Sequence, residues 1–308
     1  MRNQTFHFEF TLLDLSDLRE SQFLLFIFIV FIYLVALAGN LLIIVLVASD
    51  SHLQTPMYFF LGNLSVLDIG TSSVSASHLS YDMFTGNRLI LYSTCLAQVF
   101  FFSWFVSTEF FLLAVMSYDR YVAICHPLHY TTKISISLCV QLASMVWIFS
   151  SAYSLMHTIY TQRLAFCDST TIPGFFCEIY QLIELSCSDT YLNYILIFVV
   201  GVPFALIAFL TTFLSYVYIL KTILVIKTKE SKWKAYSTCS SHLTVVFMFY
   251  VTTFFNYIQP KTENYFIGRL VSVFYTFLTP FLNPVIYSLR NSVLKEAVGR
   301  ALLKVIRK

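Results

Sequence analysis

Charge is what this chain has least of. Only 11% of its 308 residues are Asp, Glu, Lys or Arg, against 58% hydrophobic ones, and the mean hydropathy is +0.75. Soluble domains carry roughly a quarter of their residues charged, so a soluble fold is excluded and a polytopic membrane protein implied. Other absences narrow the function. No HExxH, GxSxG or P-loop run occurs, which leaves no expectation of an enzyme. No basic, aromatic-interleaved stripe points to nucleic acid. Neither inverted repeats nor a relay of deep charges marks a transporter or channel.

What is present is a set of seven apolar stretches, found with a window of about 20 residues. They run from Phe23 to Ala48, Met57 to Tyr81, Leu91 to Ile124, Leu138 to Tyr160, Leu192 to Ile226, Ser237 to Gln259 and Ile267 to Leu289. The fold class is therefore an all-α membrane protein, a bundle of seven transmembrane helices. Residues 1–22 form an outer tail, 23–290 the helical domain and 291–308 a terminal segment. In that segment Val293, Ala297, Val298, Ala301, Leu302 and Val305 recur at helical spacing opposite Lys295, Arg300, Lys304 and Lys308. It reads as a short amphipathic helix lying on anionic membrane lipid.

Of the 19 basic residues, 13 fall on one side if the loop after the third span is cytosolic. That asymmetry places the N-terminus outside and the C-terminus in the cytosol. The tail has no apolar run before a small-residue cleavage site, so the first span is expected to act as an uncleaved signal anchor. Asn3-Gln4-Thr5 is a glycosylation sequon, usable if the tail is lumenal; Asn63-Leu64-Ser65 lies inside a span. Cys95, Cys167, Cys177 and Cys187 would face the oxidising side, whereas Cys125, Cys139 and Cys239 would not. Spacing alone leaves three pairings open.

Three constellations carry possible chemistry. Asp68 and Glu109 sit deep in the second and third spans, Glu109 about 16 Å before Arg120 at 1.5 Å per residue. With no basic residue at that depth, they imply either a bound cation or protonated, neutral forms. Cys239 and His242 have a spacing that could bind zinc, or belong to a cytosolic contact surface. His126 and His129 flank Pro127 as loop residues. On the third helix Val99, Phe102, Ser103, Val106, Ser107 and Phe110 make one face. A matching face, Tyr250, Thr253, Phe254 and Tyr257, lies on the sixth, and Val200, Phe204 and Thr276 complete a candidate apolar pocket. The bland reading of the third-helix stripe is helix packing.

Five words in order carry a resemblance: Gly39-Asn40 (GNLLI), Leu53 to Leu61 (LQTPMYFFL), Met116 to Tyr130 (MSYDRYVAICHPLHY), Lys234 to Leu243 (KAYSTCSSHL) and Pro280 to Asn291 (PFLNPVIYSLRN). Together they resemble the odorant-receptor branch of rhodopsin-like G-protein-coupled receptors, from about Phe8 to Arg300. The resemblance implies disulfides Cys95–Cys177 and Cys167–Cys187, and a sodium site of Asp68 and Glu109 with Asn40 and Asn283. It also implies a coupling switch built of Asp119, Arg120, Tyr121, Tyr216, Lys234, Ser237, Cys239, His242, Asn283, Pro284 and Tyr287. The implied function is a plasma-membrane receptor that binds a small apolar volatile odorant and activates a stimulatory, olfactory-type G protein. An amine receptor would need an acid where Phe102 stands, and a retinal pigment a lysine between Ile267 and Leu289. Gln54, Ser77-His78 and Val251 depart from the family's usual His, Pro-Lys and Gly, which implies a straighter outer end of the second helix.

Overall fold

The structure, a computed structural model, describes residues 9–13, 19–167, 170–258, 265–290 and 292–306. Seven long helices form the body. They are α1 (Arg19–Ser49), α2 (Pro56–Thr85), α3 (Tyr92–Cys125), α4 (Ile136–Thr161), α5 (Tyr191–Val225) and α6 (Lys229–Ile258). The seventh, α7, joins Tyr265–Val273, a π turn Phe274–Leu278 and Thr279–Arg290. A separate α8 (Ser292–Ile306) follows. By length and apolarity, six of the seven can cross a membrane. The exception is α2, whose 30 residues include Ser65, Asp68, Thr71, Ser72 and Ser75. All five are buried inside the protein, so these polar groups are kept from lipid.

Local chemistry sets the ends. Pro56 occupies the first turn of α2, where its missing N–H is not needed, and Gly86 closes the helix at φ 66°, a left-handed value that suits glycine. Between these ends α2 runs unbroken. The hydroxyl of Ser135 caps α4 by accepting from Leu138 N–H at 3.2 Å. The middle helix is α3, which touches α2, α4, α5 and α6. Its buried residues run from Cys95 to Val122.

One element is absent from the sequence reading. β1 (Glu9–Leu12) pairs antiparallel with β2 (Leu89–Leu91) and parallel with β3 (Thr171–Ile172) in the order β2-β1-β3. Strands of four, three and two residues are too short to show a period of two. The segment assigned to a separate tail thus docks on the second outer loop through its described part. Phe10 is fully buried and meets Phe166 edge-on at 4.9 Å. Residue Asn3 lies outside the described residues.

Candidate functional site

At the outer end two disulfides fasten the lid. Cys95 joins Cys177 with Cα atoms 5.4 Å apart, and Cys167 joins Cys187 at 5.9 Å. The first bond ties the second outer loop to the top of α3, and Gln98 reinforces it by accepting Cys177 N–H at 3.1 Å. Phe175 and Phe176 follow from that anchor into the bundle. Phe176 packs on Phe102 at 5.0 Å, and Phe102 on Tyr275 at 5.7 Å. Tyr275 donates to Glu178 of the same loop. Spacing picks out none of Gln98, Phe175, Phe176, Glu178 or Tyr275: the middle three are loop residues without a periodic signal, and Gln98 and Tyr275 lie on α3 and α7 beside the faces that spacing selects.

Below this roof lies the third-helix face. Val106 packs against both the outer and the inner core clusters, and Ser103 and Ser107 are half-buried. Phe110 meets Phe249 at 4.8 Å and Tyr250 at 5.2 Å. Tyr250 Oη and Thr212 Oγ1 lie close together, yet neither makes a hydrogen bond of standard geometry. The hydroxyls of Thr253 and Thr276 are instead taken by Phe249 O at 2.7 Å and Ser272 O at 2.6 Å, on their own helices.

Two of the proposed wall residues stand elsewhere. Phe254 is 67% exposed on the outer side of α6, since it lies 100° round the helix from buried Thr253. Phe204 meets Phe149 at 4.7 Å and Phe111 at 6.1 Å, so it belongs to the α3–α4–α5 seam rather than to the face of Phe110. Val200 is half-buried in the π turn Ile197–Gly201 of α5. The side chain of Tyr257 lies outside the described ones.

In the middle of the bundle, α1, α2 and α7 meet through amides. Asn283 Nδ2 donates to both carboxylate oxygens of Asp68, at 2.9 and 3.1 Å. Pro284 has no N–H, so the carbonyl of Pro280 four residues earlier loses its helical donor. Asn40 Nδ2 supplies one from α1 at 3.0 Å. The neighbouring Gly39 permits this approach, because a Cβ there would meet the Pro284 ring at 3.2 Å. Asn40 Oδ1, Asn283 Oδ1 and Glu109 Oε1 are buried without a partner.

The inner end carries the charged words. Asp119 is 2% exposed and Arg120 8%. Tyr130, from the short helix Tyr130–Lys133, donates to Asp119 Oδ1 at 2.8 Å; among the described residues no ion pair joins Asp119 to Arg120. Tyr121 Oη is 3.1 Å from His126 Nε2. Tyr216 of α5 and His242 of α6 stack and share a 2.6 Å hydrogen bond at Nδ1. His242 Nε2 is buried without a hydrogen-bond partner, and among the described residues no group of three or more His, Cys, Asp or Glu could hold a metal ion. Cys239 is buried and its carbonyl accepts from Tyr216 at 3.4 Å, while Ser237 is half-buried. Lys234 lies on α6, its side chain undescribed. Tyr287 Oη is buried and unpartnered. Leu128 stands 90% exposed in the turn Pro127–His129, an apolar side chain displayed at this end.

Residues 29–305 match the family described as olfactory receptor. The chain is 46% identical to olfactory receptor 1J2 of Homo sapiens over 299 residues, 97% of this chain and 96% of that protein. It is 46% identical to olfactory receptor 1G1 of Gorilla gorilla gorilla over 300 residues, 97% and 96% of the two chains. Against olfactory receptor 1496 of Rattus norvegicus the identity is 44% over 307 residues, 99% and 98%. This chain belongs to the olfactory receptor family. The seven-helix bundle, the two outer disulfides and the membrane location are thus those of a receptor, not an enzyme. In this receptor the roof, the amide-linked centre and the Tyr216–His242 stack mark one end, the middle and the other end of the bundle.

Proposed function

We propose that this olfactory receptor binds a small, mostly apolar volatile molecule between Phe102, Ser103, Val106, Ser107, Phe110 and Tyr250. The bound state activates a stimulatory, olfactory-type G protein at the inner end and raises cyclic AMP. The observation that carries the ligand class is the aromatic enclosure from Phe176 to Phe110 with Tyr250 Oη as an unbonded buried hydroxyl. A mostly apolar site with few polar handles favours ligands with a hydrocarbon body and little polar function. The N-terminus lies outside the cell and the C-terminus inside, in line with the bias of basic residues.

The inner end supports coupling by its construction. Arg120 is near-buried, Tyr216 and His242 link α5 to α6, and Leu128 is presented to a partner. Sodium is proposed at Asp68 and Glu109, with Asn40 and Asn283. Hard cations take oxygen ligands, and this centre has three unpartnered oxygens beside a carboxylate. The deciding experiment measures cyclic AMP and ion flux in the same transfected cells over an odorant panel. Ligand-evoked cyclic AMP without flux supports the receptor reading; flux without cyclic AMP overturns it.

A further inference from the structure

The cytosolic face holds an ion pair outside the coupling switch just described. Asp50 follows α1, and its two carboxylate oxygens serve different elements. Oδ1 accepts the backbone N–H of His52 at 3.0 Å and lies 2.9 Å from His52 Nδ1, which fixes the turn Ser51–Leu53. Oδ2 accepts both Nε and Nη2 of Arg300, at 3.0 and 2.7 Å. Arg300 stands on α8, so one carboxylate joins the first inner loop to a helix 250 residues away. The side chain of Asp50 is 14% exposed and that of Arg300 38%. Glu296, one turn earlier, reaches Arg300 only at 3.8 Å and is 70% exposed. The Arg300 guanidinium holds the Asp50 carboxyl well below the usual carboxylate range, so the pair stays ionised at cytosolic pH.

Beneath the pair, Leu53, Leu294 and Ala297 are buried in one cluster. Apolar contact supplies adhesion, but it is non-directional and tolerates rotation of the helix about its axis. Two N–H groups on one oxygen do not. We propose that Asp50 is a positioning residue for G-protein coupling, acting through Arg300 to set how α8 lies against the first inner loop and the inner leaflet. The functional half rests on the coupling reading above; the positional half stands by itself.

The test uses the full chain in nanodiscs, following amide hydrogen exchange over residues 293–301, together with cyclic AMP in cells at matched surface density. Asp50→Asn keeps an oxygen for the His52 N–H but loses the charge. Arg300→Ala removes both donors, and Arg300→Lys keeps a charge without the fork. The reversed pair, Asp50→Arg with Arg300→Asp, separates complementarity from misfolding. The single neutral variants should exchange about fivefold faster in α8 and give a lower maximal response with unchanged ligand EC50. Arg300→Lys should fall between them and the parent, and the reversed pair should recover most of the protection. Parent-like exchange in both Asp50→Asn and Arg300→Ala, or no recovery in the reversed pair, overturns the positional role. Faster exchange with an unchanged maximal response overturns the coupling role. Should the parent itself give no cyclic AMP to any ligand, the functional reading fails, and the exchange series still decides the clamp.

Discussion

Arg120 is 8% exposed at the inner end of α3, clear of the bilayer centre, where a charge would cost about 2.5 to 3.5 kcal/mol. Its neighbour Asp119 accepts from Tyr130, so the aspartate also holds the inner loop. Arg120→Ala should therefore abolish ligand-evoked cyclic AMP while surface staining stays at the parent level; a variant that signals normally at equal density removes Arg120 from the switch. At the other end, Ser103 is half-buried among rings. Losing one hydroxyl hydrogen bond costs about 0.5 to 1.5 kcal/mol, a shift of about 2- to 10-fold in EC50, and overfilling a packed site costs more. Ser103→Leu should hurt potency more than Ser103→Ala and shorten the preferred carbon chain. Equal potency for both would return this stripe to plain packing. Tyr250 makes the complementary case: Tyr250→Phe should weaken oxygenated ligands and spare their hydrocarbon analogues.

Among the elements, the helices were legible because membrane spans announce themselves by length and apolarity, and the third-helix face because period 3.6 survives over three turns. Such a pattern does not say which flank of a helix meets a neighbour and which meets lipid. Phe254 shows the limit, since in a span an aromatic on the lipid side looks like one on the pocket side. The roof was not legible, because β1, β2 and β3 gain their meaning only from each other. Thr11 N–H donates to Thr170 O at 2.8 Å and Leu13 N–H to Ile172 O at 3.1 Å, contacts between segments far apart in the chain. The pairing of the cysteines came from family resemblance and agrees with Cα separations of 5.4 and 5.9 Å. Cys95→Ser or Cys177→Ser should prevent maturation, because the loop that carries Phe176 loses its tie to α3. Phe10→Ala removes a fully buried ring, a loss of about 3 to 5 kcal/mol in a well-packed core, and should lower surface expression nearly as much. Parent-like glycan maturation and staining of Phe10→Ala would show that the strand is dispensable to the lid.

For the molecule as a whole, the two ends of the bundle are joined at a polar centre whose groups lipid cannot satisfy and the helices must pair internally. Asn283 bonds both oxygens of Asp68, Asn40 mends the carbonyl that Pro284 orphans, and Glu109 stays 4% exposed nearby on α3. Two acids without a basic partner at that depth have two ways to persist. Either a cation neutralises them, or they hold protons. The two ways differ in what stabilises the folded state. A site with a Kd of about 10 mM contributes about 1.6 kcal/mol in about 150 mM sodium by mass action, and nothing in choline chloride, whose cation is too large to enter. The purified receptor should therefore melt several degrees higher in sodium chloride than in choline chloride, and Asp68→Asn should erase the difference while leaving the fold intact. Protonated acids give another pattern: melting temperature falls as pH rises, equally in both salts. Identical melting in the two salts, together with that pH slope, would replace the ion with protons at the hinge of the bundle.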